Sequence, residues 1–253
     1  MLTSALSFAR ETAENAGKIV LNHFRQNIPV DNKQDDSPVT KADKECEAFI
    51  REALKKKYPD YGIIGEEFGN ENENAEYVWV IDPIDGTKSF IAGVPLFGTL
   101  IALMHRNRPV LGIMHQPFTR ETWAGADGIP TVLNNKHVHT RTCSALNQAV
   151  MMTTDTDLFH DDEKTAFFRL KNAVRHLRQS ADCYAYALLA TGCIDIVCES
   201  DLNVYDFAAL IPIIENAGGV VTDWKGNAVT ANSVNVLACG NDFLHQNALR
   251  LLT

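Results

Sequence analysis

The chain reads as an α/β protein, α+β in its first half and α/β in its second, and three observations carry this. Two amphipathic helical patterns open it, short β-rich runs broken by turn residues fill 97–139, and from about residue 145 strands alternate with helices. Its 253 residues suit one large domain or two small ones sharing a cleft. The change of rhythm near 140–148 divides it into 1–142 and 143–253.

The elements follow in order. Leu2, Leu6, Ala9, Ala13, Ala16, Val20 and Phe24 recur at steps of three and four, one face of a first helix. Residues 31–38 are polar and charged and read as a loop. A second helix opens at Thr40, with Asp43 placed to complete a capping box, and Pro59 stops it. Gly62–Gly65 is a short strand leading into Glu66 and Glu67, 70–74 is a polar loop, and Tyr77–Ile81 has strand composition. Turn residues at 106–107, 117–118, 126–128 and 134–135 punctuate an antiparallel meander. Strands are then expected at 149–153, 174–177, 194–198, 220–222 and 234–238, and helices at 162–171, 181–190, 206–216 and after Asp242. No internal repeat is visible.

Composition narrows the function. Hydrophobic residues make up 45% of the chain, enough for an ample core, and the formal charge is -9 with no basic block. That argues against nucleic acid or an anionic membrane as the main partner. Six cysteines lie scattered with no Cys-x-x-Cys pair, as expected of buried reduced thiols rather than a disulfide framework or a zinc site. Residues 2–24 carry Glu11, Glu14 and Lys18 among the apolar positions, which is unlike a signal peptide, and no apolar run approaches a membrane span. A cytoplasmic location is expected.

The most informative run is Trp79-Val-Ile-Asp-Pro-Ile-Asp-Gly-Thr87. Asp82 and Asp85, three residues apart at a strand end, offer hard oxygen ligands for a divalent cation, and Gly86 lets the backbone turn so that following amides can face an anion. Asp-Pro and Asp-Gly are also common turn pairs. Asp43 reads equally as a helix cap, Glu66 as a loop charge, and Asp206 as a carboxylate favoured by a helix dipole. The eight histidines are scattered. His137 and His139 share a face, but nothing nearby in the sequence completes a metal site with them.

Taken with their flanks, the acidic clusters resemble the inositol monophosphatase family of Mg²⁺-dependent, lithium-sensitive phosphatases. Four blocks carry the resemblance in order: Pro38-Val-Thr-Lys-Ala-Asp43, Gly65-Glu-Glu67, Trp79 to Thr87, and Tyr205-Asp-Phe-Ala-Ala209 leading to Ala217-Gly-Gly219. It spans nearly the whole chain. It implies the layered α-β-α-β-α sandwich of the inositol monophosphatase and fructose-1,6-bisphosphatase type, a homodimer, and two or three Mg²⁺ ions per active site. By the same resemblance Glu66, Asp82 and the Ile84 carbonyl bind the first ion, and Asp82, Asp85 and Asp206 the second. Glu66, with waters, reaches a third. Thr87, oriented by Asp43, and Glu66 help activate the attacking water, and the amides of Gly86 and Thr87 hold the phosphate, beside Asp85 and Asp206. Lys33 stands where the family often has a lysine near the phosphate. The chemistry agrees, because two cations can neutralise the attacking and leaving oxygens of an in-line displacement on a phosphate monoester.

Within the family, Thr87 to Leu103, Asp182 to Ala190 and Glu199 to Phe207 resemble the histidinol-phosphate phosphatase branch more than the inositol branch. Gln179-Ser180-Ala181 and Val204 depart from its pattern. Asp182 and Glu199 are expected to line a leaving-group pocket, complementary to the ammonium and imidazole of L-histidinol phosphate. The alternatives are an inositol-1-monophosphatase or a related sugar or nucleotide phosphatase. From another class comes a protein-interaction factor of the transcription and ribosomal RNA maturation machinery, a role taken by some bacterial members.

Overall fold

A computed structural model of the chain describes residues 2–26, 30–32 and 38–253. Helices α1 (Leu2–His23) and α2 (Lys41–Lys57) open it. The capping box expected from the sequence starts α2: the Ala42 N–H donates to Thr40 Oγ1 at 3.1 Å and the Thr40 N–H to Asp43 Oδ2 at 2.8 Å. Short strands β1 (Val30–Asn32) and β2 (Pro38–Thr40) pair antiparallel where the sequence predicts a loop.

The first large sheet has eight strands. They are β3 (Gly62–Gly65), β4 (Gly69–Glu71), β5 (Tyr77–Asp85), β6 (Gly98–His105), β7 (Arg108–Gln116), β8 (Glu121–Ala126), β9 (Ile129–Leu133) and β10 (Lys136–His137), in the order β10-β9-β8-β7-β6-β5-β3-β4. The meander is antiparallel as predicted, while β3 and β5 run parallel. Two features differ from expectation. β4 occupies the start of the polar loop, and β5 continues past Ile81 to Asp85, because a register shift around Pro83 lets Asp85 pair with Gly98 of β6. A one-and-a-half-turn helix α3 (Thr87–Ile91), not foreseen, follows directly.

The second sheet holds β11 (Val150–Thr153), β12 (His176–Gln179), β13 (Ile196–Ser200), β14 (Val220–Thr222) and β15 (Asn235–Cys239), in the order β12-β11-β13-β15-β14. β11 runs parallel to β12 and β13, and β15 antiparallel to β13 and β14. Its helices are α4 (Asp161–Ala173), α5 (Asp182–Ala190), α6 (Val204–Phe207), α7 (Leu210–Glu215) and α8 (Asp242–Leu252). The single helix predicted over 206–216 is thus two pieces. At their junction a Cβ on Gly112 of β7 would lie 1.8 Å from the Ala209 carbonyl oxygen, so this backbone presses directly on the first sheet.

Alternation on β5 shows how the layers form. Trp79 and Ile81 face α1 and α2, where Ala9, Ala13, Ala16, Cys46 and Ile50 are buried against them. Val78 and Val80 face the other way and share a core with α5, α6, α7 and with Val197 and Ala238 of the second sheet. The far face of that sheet, through Met151, Ile196 and Leu237, packs on Phe167 of α4 and Leu244 of α8. The result is an α-β-α-β-α sandwich. Among the described residues no helix is long and apolar enough to cross a membrane. Five cysteines are buried free thiols, and Cys193, against expectation, is exposed.

Candidate metal and phosphate site

The site forms where strands of both sheets end. β3 and β5 run parallel and end at Glu66 and at Asp82–Asp85, while β11 and β13 point their carboxyl ends at the same cleft, a common place for ligands in open α/β sheets. Asp82 is buried, and its Oδ1 has no hydrogen-bond partner. One carboxylate oxygen from each of Asp82, Asp85 and Asp206 can be chosen so that all lie within 4.8 Å of one another. The Asp85 Oδ2 accepts the Cys183 N–H at 2.6 Å, and Asp206 Oδ2 accepts the Asn203 N–H at 2.7 Å in a capping box of α6.

Crowding shows in the titration of these groups. Burial first, then Glu66, Asp85 and Asp206, hold the Asp82 carboxyl well above the ordinary range. Burial and then Asp182 and Asp206 do the same to Asp85. Burial raises Asp206 to about 7 and Asp182 to about 6. Lys88 is the sole cationic side chain among the described residues lining the cleft. Several oxygen ligands, an orphaned buried carboxylate oxygen and scant protein counter-charge make a set that fits hard divalent cations.

Gly86 follows with φ 83°, and a Cβ there would meet the Leu96 carbonyl oxygen at 2.9 Å and Asp182 at 3.1 Å, so the turn needs glycine. The first amides of α3 lack intrahelical acceptors, as at any helix start. The Thr87 hydroxyl donates to the Ile84 carbonyl at 3.1 Å. Asp43 is buried and makes its bonds to Thr40, whose hydroxyl donates to Oδ2 at 2.5 Å, and its Oδ1 is left unpartnered. Asp43 and Thr87 do not bond each other in this structure, since the one hydroxyl proton of Thr87 goes to the Ile84 carbonyl and a carboxylate can only accept. Lys33 lies outside the described residues.

The far wall of the cleft, about 230 Å³ in volume, carries Asp182, Glu199 and Asp201. Ser89 Oγ donates to Asp182 at 3.0 Å. Glu199 is buried, accepts the Thr154 N–H at 2.9 Å and the Tyr186 hydroxyl at 2.8 Å, and burial lifts its carboxyl to about 7. The sequence reading named Asp182 and Glu199 but not Ser89, Thr154, Tyr186 or Asp201. Thr154 falls just past a predicted strand, and Ser89, Tyr186 and Asp201 lie within the stretches that resemble the histidinol-phosphate phosphatase branch. Thr154, Tyr186 and Asp201 line the cleft, which Ser89 reaches only through Asp182.

A sandwich of this layering with an acidic cluster at the strand ends defines a class of metal-dependent phosphatases. The chain belongs to the inositol monophosphatase family, whose profile matches residues 1–253, and it is accordingly a hydrolase of phosphate monoesters acting on small phosphorylated substrates. It is 44% identical over 250 residues to the Arabidopsis thaliana protein named bifunctional phosphatase IMPL2, chloroplastic, covering 95% of this chain and 72% of that protein. It is 34% identical to the histidinol-phosphatase of Chlorobaculum parvum, covering 95% and 93%. A solved structure of an inositol monophosphatase from Zymomonas mobilis superposes with a TM-score of 0.92 at 41% identity, covering 100% of this chain and 98% of that one.

Proposed function

We propose that this chain is a Mg²⁺-dependent histidinol-phosphate phosphatase, releasing L-histidinol and phosphate. The observation that carries this reading is the acidic wall. Asp182, Glu199 and Asp201 line the same cleft as Gly86 and Thr87, so a leaving group bearing an ammonium and an imidazole meets carboxylates with little competing positive charge. The likeness to proteins named histidinol-phosphatase supports the same choice.

In this reading Glu66, Asp82 and the Ile84 carbonyl hold one ion, Asp82, Asp85 and Asp206 a second, and Glu66 with waters a third. When bound, the ions neutralise phosphate charge and ease deprotonation of water. The residues do the rest by position. The Thr87 hydroxyl donates a hydrogen bond to the Ile84 carbonyl, which leaves the lone pairs of Oγ1 to accept from a water. Glu66 lines the same cleft and accepts from that water, and Asp43 acts through its unpartnered Oδ1. The amides of Gly86 and Thr87 orient the phosphate. Asp182 and Glu199, held by Ser89, Thr154 and Tyr186, orient the leaving group.

The homodimer and lithium sensitivity implied by the sequence belong to this reading. Ile91, Val94 and Phe118 are exposed, and Arg25 donates to the Gly93 carbonyl and lies over the Phe118 ring, which brings the two segments together and supports a dimer contact there. Sedimentation of a single monomeric species at micromolar concentration would remove that part.

A second reading, inositol monophosphate hydrolysis, is favoured by the likeness to the Zymomonas mobilis structure and by carboxylates that can accept from hydroxyls. Phosphate release from histidinol phosphate, inositol monophosphates, fructose bisphosphate and adenosine bisphosphate at saturating Mg²⁺ separates them. The expected result is the highest kcat/KM for histidinol phosphate. A clear preference for inositol phosphate overturns the substrate and spares the chemistry.

A further inference from the structure

Between β3 and β4 the chain reverses through 66–68, and this turn carries Glu66 into the cleft. Its backbone is gripped from α2. The Glu67 N–H donates to Glu47 Oε2 at 2.7 Å and the Phe68 N–H to Glu47 Oε1 at 3.2 Å. Glu47 is 0% exposed, four residues and one helical turn beyond Asp43. Its charge is met by Arg51, itself buried, whose Nε donates to Glu47 Oε1 at 2.7 Å. The same guanidinium donates to the Gly69 carbonyl and, at 3.0 Å, to Glu71 Oε1, so one side chain ties Glu47 to β4, the strand that leaves the turn. Space confirms the fit: a Cβ on Gly65 would lie 2.1 Å from Glu47 Oε1 and 2.5 Å from an Arg51 nitrogen.

We infer that Glu47, with Arg51, is a positioning residue that fixes the Glu66 carboxylate toward the cation cluster. Two charge-assisted bonds to adjacent amides hold this turn, beside the 3.3 Å bond from the Glu66 N–H to the Ile81 carbonyl. The inference rests on the proposed reading of Glu66 as a cation ligand. Glu47 is not among the cation ligands of that reading; it acts through the backbone amides of residues 67 and 68.

Glu47→Gln tests this, because the amide keeps the shape but presents an NH₂ where an acceptor is needed. Mg²⁺ binding to the substrate-free full chain, measured by calorimetry, should weaken about 10- to 100-fold, the usual cost of losing a group that orients a ligand. KM for substrate at saturating Mg²⁺ should change less than about twofold, since Asp182 and Glu199 are held by Ser89, Thr154 and Tyr186 and not by Glu47. Glu66→Gln should weaken binding by a similar factor, and the double variant should be no worse than Glu66→Gln alone. Ile50→Val, a buried change on the same helix, should lower Tm while leaving Mg²⁺ affinity intact, which separates positioning from general loosening. If Glu47→Gln does not fold, Arg51→Lys replaces it, with the same expectations. Wild-type Mg²⁺ affinity in Glu47→Gln or its substitute, or losses that add fully with Glu66→Gln, overturns the inference while leaving Glu66 a ligand. Wild-type affinity in Glu66→Gln overturns both.

Discussion

Replacing Asp206 by Asn should stabilise the cation-free protein at alkaline pH, by an amount set first by burial and then by the neighbouring carboxylates. Burial, with Glu66 and Glu199 adding to it, lifts the Asp206 carboxyl from 3.8 to about 7 against the opposing bond from the Asn203 backbone. The folded pKa exceeds the unfolded one, so between these values the folded chain binds more protons. The contribution to stability is therefore fully present below about pH 4 and is lost as pH rises through about 7. A shift of about three units corresponds to ~4 kcal/mol at the alkaline end. Asn still accepts the Asn203 N–H, now 2.7 Å away, but forfeits the charge assistance. With ~1 kcal/mol taken off for that, the variant should gain ~3 kcal/mol at about pH 8 in chelator. For a chain of this size that is a rise in Tm of roughly 6–12 °C. Near pH 4 the gain should vanish. Mg²⁺ at a thousandfold excess over its dissociation constant adds ~4 kcal/mol to the wild type and reverses the order. Calorimetric melts of both proteins across this pH range, with chelator and with Mg²⁺, make the comparison. An Asp206→Asn variant less stable than wild type in chelator at about pH 8 would refute the claim that burial and carboxylate repulsion destabilise the ionised site.

Other consequences can be checked directly. Asp82→Asn should leave the fold intact but lower kcat about 10³-fold or more, the worth of several kcal/mol of charge stabilisation, and retention of most activity with Mg²⁺ would show that Asp82 holds no ion. Gly112→Ala should cost about 1–3 kcal/mol in chemical unfolding, since its methyl would strike the Ala209 carbonyl oxygen 1.8 Å away; an unchanged midpoint would mean that the helix junction moves freely. In the native protein a maleimide should label Cys193 quickly and the five buried thiols only on unfolding, as read by mass spectrometry. A pull-down that retained transcription or ribosomal RNA maturation factors with Asp85→Asn as well as wild type would support the protein-interaction alternative instead; two relatives at 30% and 31% identity carry the name Nus factor SuhB.

Much of the fold was legible because its signals are local. Periodicity sets α1, the Thr40–Asp43 capping box starts α2, and Gly62–Gly65 appears with its bounds as read. The misreadings have nonlocal causes. Pro83 ordinarily ends a strand, yet the pairing of Asp85 with Gly98 continues β5 beyond it. The split between α6 and α7 falls where the chain meets Gly112 of another layer, and the capping box at Asn203 was readable only once that split was seen.

The sequence by itself determined the family and the chemistry. Asp82, Asp85, Glu66 and Asp206, the proposed cation ligands, sit in short blocks whose residue types suit a divalent cation and a phosphate, so they can be read one block at a time. Only the tertiary structure decided how those groups are held. Glu47 reaches the amides of residues 67 and 68 twenty positions on, and Glu199 meets Thr154 from 45 residues away. Such partners carry no motif, because a buried carboxylate can be satisfied by any donor that packing brings within about 3 Å. The identity of a ligand is written locally; its orientation is a property of the packed layers.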